Sequence, residues 1–342
     1  MKLVSIVILN WNGRTFLEKF LPILIENSRM EGAEIVVADN GSSDDSIAFM
    51  EREHPGIRLI RFDLNHGFTG GYIRALAQLD SSYFLLLNSD IEVTPGWLEP
   101  LVGHMESNPS CAACTPKIKD YKNKTHFEYA GAAGGYIDHY GYPFCRGRLF
   151  DVLEEDQGQY DQVSDIFWGS GACLLVRTEH YRAVGGLDEQ FFAHMEEIDL
   201  CWRLKRAGWS VNFIPGSSVY HVGGGTLARG NPRKTYLNFR NNLLLLYKNL
   251  PAKKRRKIIF FRMILDSISA LRFLFGASPK DFGAVLRAHR DYYGMKKRYL
   301  GTNDENKLLD NTVIVSGIYP GSIVAGFFLK GRKKFEALKW LP

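Results

Sequence analysis

The sequence predicts an α/β fold in which a mostly parallel sheet is flanked by helices and followed by a helical extension at the C-terminus. Three observations carry that expectation. Continuous apolar runs alternate with helical periodicity through the first third of the chain. Polar residues stand where those runs end: Asn10 and Asn12, Asp39 and Asn40, Asn65, then Asn88 and Asp90. Buried strands separated by helices imply βαβ units, which gather a ligand of nucleotide size at the carboxyl ends of the strands. The charge balance also reverses along the chain, with 19 Lys and Arg against 30 Asp and Glu in residues 1–228 but 24 against 7 in residues 229–342.

Taken in order, LVSIVILN (3–10) is a buried strand, residues 15–25 a helix and EIVVADN (34–40) a second strand. IRLIRF (57–62), a helix over 71–79 and the very apolar YFLLLNSD (83–90) continue the pattern. Residues 130–160 turn to Gly, Tyr and acidic residues, which predicts an extended loop or irregular strands. Residues 171–209 give a strand, a turn at Gly185 and Gly186, and a helix beginning near Met195; helices over 236–250 and 254–275 are parted by Pro251.

With 342 residues, 45% hydrophobic and 23% charged, the chain can bury a core and is neither disordered, collagen-like nor a disulfide miniprotein. Its five cysteines are an odd number, and MKLVSIVILNWNG is too short for a secretory leader, so a reducing cytosolic setting is expected.

Four motifs could carry chemistry. In VVADNGSSDDS (36–46) Asp39 either shapes a turn before a helix or accepts hydrogen bonds from a base or ribose. In NSD (88–90) Asp90 either caps a strand or offers a hard oxygen to a cation bridging a diphosphate. HMEEIDLCWR (194–203) places Glu196 and Asp199 three apart on one helical face with Glu197 about 100° away. Such a cluster is a set of capping acids, or one carboxylate raised by a dry pocket to take a proton from a hydroxyl. His221, in VYHVGGGT (219–226), is a structural residue or a ligand ahead of a tight loop. Cys111 and Cys114 have zinc-like spacing but no second pair, and read as packing.

The ordered set VSIVILNWNG, VVADNGSSDDS, NHGFTGGY, LLLNSDIEVTPGWL, the 171–209 segment and VYHVGGGT resembles the inverting family 2 glycosyltransferases with the Rossmann-like GT-A fold, especially rhamnosyltransferase-like members, over about residues 4–242. The resemblance implies transfer of a sugar from a nucleotide-diphosphate donor, dTDP-rhamnose or a UDP-sugar, to a glycan or lipid-linked acceptor in cell-surface polysaccharide synthesis. It implies a nucleotide-sugar site at Asn10, Asn12, Asp39, Asn65, Gly70, Gly71, Asn88 and Asp90, and a divalent metal, Mn²⁺ or Mg²⁺, on Asp90 and His221. Glu196 and Glu197 fall on the pair whose second member is the general base, with Asp199 the next candidate. Three departures stand out: Asn88 replaces an Asp, Glu197 replaces an Asp, and Ile73 stands where Asn is common. The alternatives weighed are a non-catalytic membrane-bound scaffold of the same fold and a nucleotidyltransferase. The latter lacks a Gly-rich basic loop after the first strand.

The expected domains are a transferase domain over 1–235, with a donor half of about 1–115 and an acceptor half of about 116–235, and a basic helical region over 236–342. Trp168 and Asp188 are expected to bind the acceptor, by ring stacking and polar contact. In the 254–275 helix, Arg262, Asp266, Ser269 and Arg272 form a narrow polar stripe beside a wide apolar face, and KKRRK (253–257) precedes it. Its charges argue against a membrane-spanning helix. The uncharged stretch 311–329, broken by Pro320, is expected to be interfacial or packed. An anionic membrane surface, and not nucleic acid, is the expected partner of the tail, on the cytoplasmic face of the plasma membrane.

Overall fold

Alternating apolar runs become the strands of the main sheet because each can be covered by helices on both faces. The computed structural model describes residues 2–223, 230–276, 278–299 and 315–340. Strands β1 (Lys2–Asn10), β2 (Ala33–Asn40), β3 (Arg58–Phe62) and β4 (Ser81–Asn88) alternate with helices α1 (Arg14–Asn27), α2 (Ser46–Glu53) and α3 (Gly67–Leu76). They are followed by β5 (Ile91–Val93), α4 (Leu98–Ser107) and β6 (Cys111–Asp120). Four short strands come next, β7 (Gly135–Asp138), β8 (Pro143–Cys145), β9 (Arg148–Leu149) and β10 (Val152–Leu153), then β11 (Ser164–Asp165) and β12 (Cys173–Arg177). Helices α5 (Thr178–Ala183) and α6 (Glu196–Arg206) lead to β13 (Ser210–His221). The C-terminal part carries α7 (Pro232–Asn249), α8 (Ala252–Phe275), α9 (Pro279–Met295), β14 (Ile318–Tyr319) and α10 (Ile323–Phe328).

The main sheet runs β11-β13-β6-β12-β4-β1-β2-β3, with β5 paired to β13. β1 is parallel to β2 and β4, β2 to β3, and β13 to β6, while β12 runs antiparallel between β4 and β6. The register Asn10 to Asp39 and Leu9 to Asn88 lines the polar strand ends along one edge, as the parallel pattern requires. α3 reaches this sheet closely because Gly71 has no side chain: a Cβ there would meet Leu9 at 2.7 Å and Asn40 at 3.0 Å.

The Gly- and Tyr-rich stretch forms a second sheet, β10-β9-β8-β7-β14, which the tail completes through the parallel β7–β14 pair. Phe335 and Trp340 seal it against Tyr136 and Phe144, at centroid distances of 5.4–6.3 Å. The described part of 311–329 therefore packs against the domain, with Ile323 and Phe327 buried; residues 311–314, like Gly224–Thr226 of the glycine loop, lie outside the described residues.

α8 is built inside out. Its buried face carries Arg262 and Asp266, joined at 2.7 Å, with Asn242 and Tyr142 on Arg262 and Asp266 respectively and His289 3.4 Å from Asp266. Its exposed face carries Phe260, Phe261, Ile264, Ile268, Leu271, Leu274 and Phe275. Of the polar stripe, Arg262 and Asp266 turn inward, because partners on α7, α9 and the β7–β8 turn satisfy their charges, while Arg272 stays exposed.

Candidate active site

At the end of β1, Asn10 donates from Nδ2 to Asp39 Oδ2 (3.0 Å) and to Ser42 Oγ (3.2 Å), while Asp39 Oδ1 accepts from Ser42 N–H (2.9 Å). Asp39 is thus 1% exposed and held by its own loop. Asn12 sits at φ 51° and accepts from Ser43 N–H (2.7 Å), tying the β1–α1 loop to the β2–α2 loop. Asn65 Oδ1 accepts from Asn40 Nδ2 (3.1 Å) and Gly67 N–H (2.7 Å), which fixes the entry to α3. These residues shape the loops of the strand ends. Gly70 and Gly71 are buried, Gly71 against the sheet and Gly70 beneath Glu189 and Arg74. The open aromatic ring at this end belongs to Trp11, 44% exposed.

Asp90 and His221 lie 131 positions apart in sequence and meet in the fold because β5, directly after NSD, pairs with the end of β13. His221 Nε2 stands 3.2 Å from Asp90 Oδ1 and 3.5 Å from Asn88 Nδ2, and Glu128 Oε2 stands 3.2 Å from Nδ1. Burial works against the imidazolium, but the Asp90 hydrogen bond and then Glu128 hold the imidazole pKa up at about 10. Burial likewise opposes the Asp90 carboxylate, and His221 brings its pKa below the usual range. With its proton displaced from Nε2, His221 would offer one nitrogen donor beside the Asp90 oxygen, with Glu128 behind the ring as such centres require. Among the described residues no group of three His, Cys, Asp or Glu side chains is arranged to hold a metal. The donor set fits a cation that takes its other ligands from a bound diphosphate and water.

Glu196 and Glu197 open α6. The backbone N–H of Asn88 donates to Ala172 O (2.9 Å), and a Cβ on neighbouring Gly171 would touch Glu197 Cβ at 3.7 Å, so Glu197 stands beside the NSD end of β4. Oε2 of each Glu is buried without a hydrogen-bond partner. Burial pushes the Glu197 carboxyl up to about 7; burial and then the Glu197 charge push Glu196 well above its ordinary value. A carboxyl with one oxygen unpartnered and a pKa near neutrality can accept a proton at the expense of little driving force.

A family model described as glycosyl transferase family 2 matches residues 5–157, and one described as glycosyl transferase family group 2 matches residues 83–300. The chain belongs to the family 2 glycosyltransferases. It is 27% identical over 236 residues to an N-acetylglucosaminyl-diphospho-decaprenol L-rhamnosyltransferase of Mycobacterium tuberculosis, a match covering 64% of this chain and 75% of that protein. Rhamnosyltransferase WbbL of Escherichia coli K12 is 25% identical over 227 residues, 64% of this chain and 83% of WbbL. Among solved structures, GalNAc-T7 with UDP, GalNAc and Mn²⁺ superposes with a TM-score of 0.58 at 16% identity, over 90% of this chain and 58% of that one. That likeness concerns the fold, which is GT-A.

Three residues expected in the glycosyltransferase site do other work. Asp199 is fully buried and its oxygens are occupied by Arg203 (2.7 Å), Lys248 (2.9 Å) and Asn249 (2.8 Å). Burial raises its pKa, but Arg203 and Lys248 outweigh that and hold it at about 2, so it is no base. Trp168 is 4% exposed, donates from Nε1 to Tyr136 O (2.9 Å) and covers Gly135, where a Cβ would lie 2.1 Å from the indole. Its ring is core and presents no face to a sugar. Asp188 caps the turn at Gln190 N–H (3.0 Å) and accepts from Lys248 (2.7 Å) and Tyr299 (2.9 Å), which ties it to the C-terminal helices.

The transferase also uses residues that its motifs do not reveal. The backbone ahead of Glu196 takes positive φ at Phe192, His194 and Met195 (65°, 68° and 75°). Asn241 Nδ2, on α7, donates to the carbonyls of Phe191, Ala193 and His194 at 2.7–2.8 Å, and Arg240 adds Phe191 O at 3.0 Å. The strained turn that presents the glutamates is thus clamped from the C-terminal part, and Asn and Arg inside an apolar helix are the only sequence signal for it.

Proposed function

We propose that this glycosyltransferase inverts a sugar from a nucleotide-diphosphate donor, dTDP-rhamnose or a UDP-sugar, onto a glycan or lipid-linked glycan acceptor. The observation that carries the reading is the buried Glu197 Oε2, without a hydrogen-bond partner, next to the NSD end of β4 where Asp90 and His221 converge. The names of the relatives from M. tuberculosis and E. coli support rhamnose as the first sugar to try.

The acceptor hydroxyl attacks the anomeric carbon from the face opposite the leaving group. Its proton goes to Glu197, the bond from the anomeric carbon to the phosphate oxygen breaks, and the nucleoside diphosphate departs with the electron pair. Asp90 and His221 would hold a divalent cation, which when bound offsets the charge developing on the diphosphate. An oxygen and an imidazole favour Mn²⁺ over Mg²⁺. Nucleotide release measured across a panel of dTDP- and UDP-sugars, with and without acceptor glycans, tests the activity, and no release with any donor and Mn²⁺ would overturn it.

Glu128 orients the imidazole rather than meeting the ion. Glu128→Gln is therefore expected to weaken Mn²⁺ affinity about 10- to 100-fold, read by calorimetric titration in the presence of dTDP. Unchanged affinity would remove Glu128, and the His221 assignment with it.

The inside-out α8 supports a place on an anionic membrane surface at the cytoplasmic side. No described helix is long and apolar enough to cross a membrane, but the exposed apolar face of α8 follows the basic run Lys253–Lys257, a pairing suited to lying in the interface. Each of those cations adds about 1 kcal/mol near an anionic leaflet. Sedimentation with vesicles should show binding that needs anionic lipid, weakens with salt and falls when Phe260 and Ile264 become Ser. Absence of binding to any vesicle would return this face to a protein partner.

A further inference from the structure

A cavity of about 660 Å³ opens between the first turn of α7, the end of α8, the β9–β10 hairpin and α10. Its volume suits a small-molecule headgroup. It shares no lining residue with Asp39, Asp90, Glu197 or His221. Three cations line it, Lys234, Arg272 and Lys333, against one carboxylate, Asp151. Two of the cations rest on aromatic faces: Lys333 Nζ lies 3.5 Å from the Phe327 centroid and the Arg272 guanidinium 5.4 Å from that of Phe328. Phe150 closes the same floor at 4.7 Å and 5.0 Å from those two rings.

Converging cations in a concave wall concentrate a multiply charged anion, and the aromatic floor adds nothing to binding a bare ion. The ligand the wall suits is therefore anionic at one end and apolar beyond it. Two continuities extend the argument. On α8, Ile268 and Phe275 lie four before and three after Arg272, exposed at 59% and 84%, so the apolar stripe runs to the mouth of the cavity. On the other side, the lining residue Tyr129 directly follows Glu128, which touches His221.

We propose that this cavity receives the diphosphate of a lipid-linked acceptor, with the lipid chain leaving along the exposed face of α8 and the attached glycan directed past Tyr129 toward the reaction centre. The assignment rests on the reading of the acceptor as lipid-linked, but its test needs no turnover.

Calorimetric titration in EDTA with farnesyl diphosphate, inorganic pyrophosphate and UDP as probes decides it. Farnesyl diphosphate is expected to bind about tenfold tighter than pyrophosphate. The double variant Arg272→Glu/Lys333→Glu should weaken it at least about tenfold, because charged hydrogen-bond donors become repulsive, while UDP affinity stays as in the parent. Phe328→Ser should weaken farnesyl diphosphate and leave pyrophosphate unchanged. All three side chains are exposed, so the melting temperature serves as the folding control. Farnesyl diphosphate binding that survives the charge reversal, or that UDP displaces, would overturn the cavity assignment. Equal binding of pyrophosphate with Phe328→Ser silent would reduce it to an anion site and overturn the lipid. A failure of glycosyl transfer with every acceptor would instead count against the proposed activity and leave this binding result standing.

Discussion

Glu197→Gln is expected to lower acceptor-dependent transfer about 10²- to 10⁴-fold, the range lost when a positioned base is removed. In the parent enzyme the rate should climb with pH and level off above about 7, because burial holds the Glu197 carboxyl there and only its ionised form takes the proton. The same burial fixes the sign of a second effect. A carboxyl raised from 4.5 to about 7 favours the folded state below pH 4.5, and that advantage is lost as pH rises through 7. Gln removes the loss. The variant should therefore melt above the parent at pH 8, by roughly 1–3 kcal/mol in stability, and show no such gain at pH 5. A merely damaged protein loses both activity and stability, whereas a replaced catalytic base loses one and gains the other. Full activity in the variant would move the role to Glu196, whose Oε2 is also buried without a hydrogen-bond partner.

The strand ends were legible because parallel strands announce themselves as uninterrupted apolar runs and Asn10, Asp39 and Asn88 are where those runs stop. The meeting of Asp90 with His221 was legible only through the order of motifs, since the contact depends on β5 folding back on β13. Trp168 misled because an aromatic beside glycines reads as a sugar platform. The deciding feature is Gly135, which lets the indole lie flat on β7 some 30 positions earlier in the chain. For α8 the periodicity gave two faces but not which one turned inward. That choice belongs to Asn242, Tyr142 and His289, none of which lies in the helix. Contacts cross the boundary expected near residue 235: Asn241, Lys248 and Asn249 of α7 hold the turn and the helix that carry Glu196 and Glu197.

Asp199→Ala is expected to cost about 3–5 kcal/mol, because it removes the buried counter-ion of Arg203 and one of the two carboxylates on Lys248, which keeps Asp188 at 2.7 Å. Arg203 keeps the carbonyls of Val184 and Gly186, each at 2.6 Å, which places the loss nearer the lower figure. For a chain of this size the melting temperature should fall on the order of 5–10 °C in scanning calorimetry. Asp199→Asn keeps an acceptor for Asn249 and should lose less. The carboxylate is held low, so its contribution is present above the ordinary Asp range and lost as pH falls through about 2; the gap between parent and Ala variant should accordingly persist at pH 5 and pH 8. Transfer should fall with stability and recover on cooling, since Asp199 supports α6 from behind. A variant that melts with the parent yet is inactive at every temperature would show Asp199 acting on substrate, and would return it to the list of bases from which its ion pairs remove it.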